Sequence, residues 1–387
     1  MGSRKFPKFS KNEYSDRNEK LSALLEEESV GALIIFGSSG NAANLHYWTN
    51  YLPRSSSYFV ATQDLSSNKL LIGTYNHIPT AKEMSVIDDI GWATHSHAEA
   101  VVKATGKILA EGRKKIAILG KGFPHDVATS LTSKLGVELV NLTSNANQIR
   151  AIKSDEEISW LVKAAELTDA AMSALATKLR SGMSEYDMAD IVEHSYLPKG
   201  GTTRIHYMGS TSMTRPEICV PSQYQTSRRL KKGDVVITEL SAEYGGYAGQ
   251  IHRPIAIGSK PAGNYSKLYD AALDTYQDVL SKLKDGATSE ELIQAADDVI
   301  VKRGFTVCDS LVHGFGTELA FPELGTSNSV YANPHYEYKQ NMAVVIQPNP
   351  ITRVGRCGLQ LGNLCIVGKK ESKSLQKFPL KFLETRR

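Results

Sequence analysis

The sequence predicts two domains: an α/β N-terminal domain and an α+β C-terminal domain built from two similar halves. Three observations predict this architecture. Strand-like and helix-like segments alternate over about the first 145 of 387 residues, which is typical of an α/β domain. A capped amphipathic helix begins at Ser154. Beyond it, turn, helix and strand signals recur 104 and 108 residues apart.

The composition is that of an ordinary globular protein, with 41% hydrophobic and 22% charged residues. The net charge of +4 is too small to indicate nucleic-acid or membrane binding. No apolar run reaches the roughly 18 residues of a membrane span, and residues 1–20 lack the apolar core of a secretory signal. The four cysteines form no Cys-x-x-Cys pair. We therefore expect free thiols and a cytoplasmic location.

In the N-terminal domain, an amphipathic helix is predicted over residues 11–30 and a buried strand over residues 30–37. Runs rich in β-branched and aromatic residues predict further strands at residues 57–61, 69–73 and 115–119. Helices are predicted between them at residues 98–111 and 125–135.

The domain boundary is predicted near residue 149, giving domains over residues 1–148 and 149–387. Ser154 followed by Glu157 is the pattern of a capping box at a helix N-terminus. The apolar residues that follow lie on one face of a long helix: Ile158, Leu161, Val162, Ala165, Met172 and Leu175.

The C-terminal domain repeats itself. The turn and capping signals Leu179, Gly182, Ser184 and Asp187 recur 104 residues later as Leu283, Gly286, Thr288 and Glu291. The strand 235–239 recurs 108 residues later as 343–347, which makes Glu239 equivalent to Gln347. A pseudo-twofold axis would bring equivalent positions of the two halves to one shared pocket.

A β-hairpin is predicted over residues 231–253, with Gly245 and Gly246 in its turn. Glu239 and Gln250 lie eleven residues apart on opposite arms, where a hairpin can bring both side chains onto one face. Glu239 is flanked by apolar strand residues, so its carboxyl group needs a partner or a raised pKa.

This hairpin and three later segments, 312–316 (Val-His-Gly-Phe-Gly), 342–348 and 358–363, resemble motifs of the creatinase, prolidase, aminopeptidase P and methionine aminopeptidase superfamily. The resemblance spans most of residues 150–370 and is weaker before them. It implies a pita-bread fold for the C-terminal domain and a homodimer.

The resemblance also implies five metal-ligand positions, and this chain fills them with Glu239, Gln250, His313, Gln347 and Gly362. Hard divalent cations prefer anionic oxygen ligands, and neutral amides are poor substitutes. One carboxylate and one imidazole cannot supply the charge that two metal ions need. We therefore expect the dinuclear site to be lost and no cofactor to be bound.

Glu239 and His313 are the candidate catalytic residues, as proton-transfer groups. The alternative is a structural acid and a structural histidine. Gln250, Gln347 and Gln360, the last at the position of a family Arg, can donate and accept hydrogen bonds to a neutral or zwitterionic ligand. The alternative is that these amides fill space after activity was lost.

Five further residues are candidate substrate-binding groups. Ser222 falls at the family's proton-shuttling His, and His206 could compensate from a neighbouring strand. Glu318 is either functional or a salt-bridge partner, and His252 lies beside the second ligand position. Arg54 falls where creatinase-like enzymes grip a substrate carboxylate across the dimer, although a surface Arg is the commoner explanation.

These residues favour a metal-independent, creatinase-like hydrolase or lyase that cleaves a C–N or related bond of a small polar metabolite. Creatinase provides the precedent, since it cleaves a C–N bond without metal. Two alternatives stay open: a non-catalytic pseudo-peptidase that binds a small molecule or a protein partner, and an Xaa-Pro-type metallopeptidase.

Overall fold

The computed structural model describes residues 5–109 and 112–385. The chain divides into two compact units, Met1–Arg150 and Ala151–Arg387. No helix in these two described ranges is both long enough and apolar enough to cross a bilayer.

The first unit is a six-stranded mixed sheet, in the order β4-β3-β2-β1-β5-β6, with helices between the strands. Its strands are β1 (Ala32–Gly37), β2 (Ser57–Thr62), β3 (Asn68–Ile72), β4 (Ile90–Trp92), β5 (Lys115–Leu119) and β6 (Glu138–Asn141). Its helices are α1 (Lys11–Glu27), α2 (Ala43–Thr49), α3 (Ile78–Met84), α4 (His97–Ile108), α5 (His125–Leu135) and α6 (Thr143–Ala151).

Both faces of the first sheet are buried. On β1, Leu33 and Ile35 enter one hydrophobic cluster, while Ile34 and Phe36 enter another on the opposite face. A strand buried on both sides reads as a continuous apolar run, which is why β1 could be predicted. The half-buried β4 and β6 carry no such run and were not predicted. Residues 110 and 111 of the predicted helix 98–111 lie outside the described residues.

The second unit is built on a ten-stranded sheet. Its helices are α7 (Asp155–Lys178), α8 (Glu185–Tyr196), α9 (Asn264–Lys282) and α10 (Ser289–Val299). Its first strands are β7 (Thr202–Ser212), β8 (Asp234–Tyr244), β9 (Tyr247–His252), β10 (Ile255–Ala256) and β11 (Phe305–Val307). The later strands are β12 (Val312–Gly314), β13 (Ala320–Leu324), β14 (Ala343–Ile346), β15 (Pro350–Thr352), β16 (Gly362–Ile366), β17 (Lys373–Ser374) and β18 (Leu383–Glu384).

The main path of this sheet is β13-β12-β14-β16-β9-β8-β10-β18, with β7 added on β8 and β17 on β16. Strands β8 and β14, the two predicted repeats, therefore flank the pair β16-β9 at the centre of the sheet. The hairpin β8-β9 turns at Gly245 and Gly246, whose φ angles of 58° and 84° suit glycine.

The internal repeat is confirmed. Helices α8 and α10 both begin with capping boxes, made by Ser184 with Asp187 and by Thr288 with Glu291. Isolated bridges repeat at the same offsets of 104 and 108 residues, since Ser184 pairs with Arg229 and Thr288 pairs with Glu337. The equivalent strands β8 and β14 therefore lie on either side of the middle of one sheet.

Candidate functional site

A pocket of about 440 Å³ opens beside the centre of the second sheet. Its polar wall includes three carboxylic acids, one imidazole, one guanidinium group and several amides. The residues concerned are Glu239, Asp309, Glu323, His313, Arg204, Gln223, Gln250 and Gln347. Four of the predicted site residues, Glu239, Gln250, His313 and Gln347, thus share one pocket.

Glu239 lies on β8 with only 7% of its surface exposed. It pairs in register with Tyr207 of β7, which also lines the pocket. Gln250 Nε2 donates a hydrogen bond to Glu239 Oε1 at 2.7 Å. Burial, and then the charge of Asp309, raises the pKa of Glu239 to about 8. Glu239 therefore holds a proton at neutral pH, as expected for a carboxyl group in an apolar strand.

His313 lies on β12 and is buried. Its Nδ1 lies 3.1 Å from the carbonyl oxygen of Gly314, which favours a proton on Nδ1 and leaves the Nε2 lone pair free. Nε2 lies 3.4 Å from Gln347 Oε1. Burial lowers the pKa of His313, so the ring is neutral near pH 7.

The amide of Gln347 is oriented by its own bonds. Its Nε2 donates to the Ser310 carbonyl oxygen at 2.8 Å, and lies 3.4 Å from Asp309 Oδ2. This fixes Gln347 Oε1 towards His313, where it can accept a hydrogen bond from Nε2 once that nitrogen is protonated. Gln347 thus replaces an anionic ligand with a hydrogen-bond acceptor for the imidazole.

Asp309 is one of the polar pocket residues that sequence reasoning missed, as are Glu323, Arg204 and Gln223. It lies in the loop before β12, where its Oδ2 accepts a hydrogen bond from Gln360 Nε2 at 3.1 Å. The residues Asp309, Leu311 and His313 alternate, and this two-residue period was the available signal that Asp309 and His313 face the same side.

The fifth expected metal-ligand position, Gly362, has no room for a side chain. Gly362 starts β16, and a Cβ atom at this position would lie 2.2 Å from the Ile346 carbonyl oxygen and 2.8 Å from Gln347 Cα. Backbone atoms therefore occupy the space that a bridging carboxylate side chain would need.

The donor set does not fit two divalent cations. Of the five equivalent positions, one is a carboxyl group, Glu239, and one is an imidazole, His313. Two are amides and one has no side chain. Across residues 5–109 and 112–385, no group of three or more His, Cys, Asp and Glu side chains is arranged to hold a metal ion.

We expect Gly362→Ala to lower the free energy of unfolding by about 1–3 kcal/mol, because the added methyl group overlaps backbone atoms of β14. Thermal and urea unfolding would measure the change. The control is Gly106→Ala in α4, where the nearest atom to a new Cβ is a Leu135 methyl at 3.4 Å. That variant should be neutral or stabilised by up to about 1 kcal/mol. An unchanged free energy of unfolding in Gly362→Ala would contradict the conclusion that backbone atoms fill the space beside Gly362.

Gln360 and His252 lie behind the pocket wall, and both are fully buried. Three of their polar atoms, Gln360 Oε1 and both ring nitrogens of His252, have no hydrogen-bond partner in the described structure. Burial and the neighbouring His313 hold the pKa of His252 well below its ordinary range. His252 is therefore a neutral, buried ring that is not part of the pocket lining.

The structure does not bring His206 to the pocket. Side chains alternate along β7, so Tyr207 faces the pocket beside Glu239 while His206 pairs with Leu240 on the other face. There its Nε2 lies 2.5 Å from the Tyr196 hydroxyl group, and burial lowers its pKa to about 4. His206 therefore does not compensate for the lost family histidine.

Ser222 and Glu318 also lie outside the pocket lining. Ser222 donates its hydroxyl hydrogen to the Tyr224 carbonyl oxygen at 2.7 Å, although its neighbours Pro221 and Gln223 do line the pocket. Glu318 follows the Gly-rich segment without lining the pocket. Arg54 belongs to the first unit, where it is exposed. Its proposed grip on a substrate stays a prediction.

Two family models match this chain. The model of metallopeptidase family M24 matches residues 159–369, and the model of the creatinase/prolidase N-terminal domain matches residues 17–152. Together they confirm the predicted superfamily and the pita-bread fold of the C-terminal domain. Every pocket residue lies within residues 159–369.

Relatives that match along almost their full length, and solved structures, agree with the two family models. The chain is 23% identical to the Xaa-Pro dipeptidase of Pyrococcus furiosus over 94% of this chain and 98% of the relative. It is 25% identical to the Pyrococcus horikoshii Xaa-Pro dipeptidase over 93% and 97%. The prolidase structure from Pyrococcus horikoshii superposes with a TM-score of 0.80 at 24% identity, covering 95% and 99%. The X-Pro aminopeptidase structure from Thermotoga maritima gives 0.81 at 19% identity, covering the same shares.

These comparisons correct the expected function. A metal-independent, creatinase-like enzyme acting on a small polar metabolite is the wrong class, because the full-length relatives are Xaa-Pro dipeptidases. The matches support an enzyme that is a hydrolase. They support neither lyase chemistry nor a homodimer, and the homodimer stays a prediction.

Proposed function

This chain belongs to metallopeptidase family M24, and from that membership we propose that its pocket binds and hydrolyses short peptides of the Xaa-Pro type. The observation that carries this proposal is the end-to-end match to Xaa-Pro dipeptidases, with the pocket inside the matched region. The family name implies bound metal. Since the donor set does not fit two cations, the roles below concern only the chain's own side chains.

One wall of the pocket suits a proline ring. Its apolar lining is formed by Ile205, Val220, Pro221, Phe315 and Leu319. A proline residue has an apolar ring and no amide hydrogen to satisfy, so burying it against this wall removes apolar surface from water without leaving an unpaired donor.

Glu239 is the proposed proton donor. Cleavage of an Xaa-Pro bond releases the proline nitrogen as an amine, which has to gain a proton as the C–N bond breaks. With its pKa raised to about 8, the Glu239 carboxyl group carries that proton at neutral pH. Gln250 holds the carboxyl group in place through its 2.7 Å hydrogen bond.

His313 is the proposed proton acceptor for the attacking water. Its Nε2 carries the free lone pair, and once Nε2 is protonated its N–H can donate a hydrogen bond to Gln347 Oε1, which lies 3.4 Å away. The charge of Asp309 stabilises the resulting imidazolium. The proposed acid therefore lies on β8, and the proposed base lies on β12, which pairs with β14, the strand equivalent to β8.

We expect free proline to be released from dipeptides such as Gly-Pro and Ala-Pro, and His313→Ala to slow the release at least about 100-fold, the usual scale of a general base. Proline release would be measured with chelator-treated protein and with protein supplied with Mn²⁺, Co²⁺ or Zn²⁺. The exposed His335, changed to Ala, is the control and should keep the wild-type rate.

Turnover in either arm supports the proposal. Absence of proline release in every arm would contradict it. Peptide binding without release would then favour the alternative left open by the sequence, a pseudo-peptidase that only binds its ligand.

A further inference from the structure

Asp309 is a fixed anion on the pocket wall. Its Oδ1 accepts from the backbone N–H of Ser310 at 2.7 Å and from the Tyr331 hydroxyl at 3.4 Å. Its Oδ2 accepts from Gln360 and lies near Gln347, as described above. All four donors are neutral. In the described part of the chain, no Lys or Arg lies within ion-pair distance of this carboxylate. Its orientation is fixed, and its charge is left without a counter-charge.

The surrounding groups add to this negative character. The only guanidinium group on the lining, among the described residues, belongs to Arg204, whose Nη1 already lies 3.4 Å from Glu243 Oε1. Glu323 lines the same pocket. Gln250 also lines the pocket, and its buried amide oxygen Oε1 has no hydrogen-bond partner. This oxygen is therefore an uncharged acceptor available to a ligand. A cavity walled by anions and free acceptors attracts a cationic donor.

An α-ammonium group is such a donor. It carries one positive charge at neutral pH and three N–H hydrogens. Asp309 offers the opposite charge, and Gln250 Oε1 offers a second acceptor. A charge-assisted hydrogen bond is shorter and stronger than a neutral one, so a single pairing of this kind can dominate ligand selection.

We propose that Asp309 receives the free α-ammonium group of the peptide, with Gln250 Oε1 as second acceptor, and so makes the pocket selective for unblocked N-termini. This inference rests on the proposed function for the identity of the ligand, and it adds the residue that determines specificity. Acetylation of the peptide removes both the charge and two of the donors. It should therefore weaken binding at the Asp309 end and leave the proline wall unaffected.

The test compares calorimetric titrations of Gly-Pro and N-acetyl-Gly-Pro, using the Glu239→Gln variant wherever wild-type turnover would interfere. We expect Gly-Pro to bind at least tenfold more tightly than the acetylated peptide. Asp309→Asn, which keeps the shape and the hydrogen-bond acceptor, should reduce this preference to less than about threefold. Glu323→Gln removes another carboxylate of the pocket lining and should reduce the preference by much less than Asp309→Asn does.

Equal affinity of the two peptides for wild-type protein would overturn the proposal, and so would an equal loss of preference in Glu323→Gln, which would assign the effect to the general field of the pocket. If Asp309→Asn fails to fold, equal affinity of wild-type protein for the two peptides would still overturn the proposal. Proline release is a separate readout. If Gly-Pro binds more tightly than the acetylated peptide but no proline is released, the proposed hydrolysis is wrong and the role of Asp309 stands. If proline is released but both peptides bind equally, only the role of Asp309 is wrong.

Discussion

Arg253→Met is expected to lower the free energy of unfolding by about 3–5 kcal/mol, because several buried oxygen acceptors lose their donor and each such loss costs about 1–3 kcal/mol. Arg253 follows β9 and is completely buried. Its guanidinium group donates to the carbonyl oxygens of His252 and Gly362 at 2.7 and 2.8 Å, which joins β9 to β16 directly behind the pocket. Methionine fills similar volume but leaves these buried acceptors without donors.

The same side chain holds the C-terminal segment. It donates to the Pro379 and Phe378 carbonyl oxygens at 2.7 and 2.8 Å and to Asn363 Oδ1 at 2.9 Å. Burial lowers the pKa of Arg253 to about 10, which still leaves the group charged at neutral pH. The bonds to neutral acceptors therefore compensate a cation that would otherwise be costly to bury.

Urea and thermal unfolding would measure the loss, with Arg356→Met as the control because Arg356 is exposed. The control should stay within about 0.5 kcal/mol of wild type. Hydrogen exchange adds a local readout, and we expect faster exchange in peptides that cover residues 378–385. A loss below about 1 kcal/mol, with unchanged exchange there, would show that Arg253 does not hold these strands and the segment together.

The second large effect is a pH dependence of stability carried by Glu239. Its ordinary pKa of 4.5 applies in the unfolded chain, whereas in the folded chain the pKa is raised to about 8. Between these values the folded state binds one more proton than the unfolded state. Wild-type stability attributable to Glu239 is therefore full below about pH 4.5 and falls as pH rises to about 8, by up to about 1.4 kcal/mol per pH unit.

Glu239→Gln should remove this slope, because the amide resembles the protonated carboxyl group at every pH. We expect the variant to be more stable than wild type by about 3–5 kcal/mol at pH 8 and nearly equal to it at pH 5. Buried histidines such as His206 act in the opposite direction at low pH, but they are present in both proteins and cancel in the difference. The exposed Glu371, changed to Gln, should show no such difference.

Glu239→Gln also separates the effect of Glu239 on peptide binding from its proposed role as proton donor. Peptide affinity at pH 7 should change by less than about threefold, since Gln keeps the hydrogen-bonding pattern of the neutral acid. Proline release should fall at least about 100-fold, since an amide has no proton to give to the leaving nitrogen. A pH-independent stability difference would contradict the raised pKa, and unchanged turnover would contradict the proton-donor role.

Much of the second unit could be predicted from the sequence because its signals are local or repeated. Two glycines define the hairpin turn, and the capping boxes at Ser184 and Thr288 mark equivalent helices. The 108-residue offset alone predicts that Glu239 and Gln347 are equivalent, and both do line the pocket. His206 was misplaced because the face that it occupies depends on its register with β8, which local sequence does not specify.

The sequence alone determined the fold class, the repeat and the identity of the amides at the former ligand positions, because periodicity, capping and turn residues act between near neighbours along the chain. The tertiary structure alone decided that Asp309 stands beside Glu239, that backbone atoms close the space at Gly362, and that Arg253 joins three distant segments. These features depend on groups brought together from far apart in the chain. Electrostatic and packing energies follow their distances in space, not their separation in sequence.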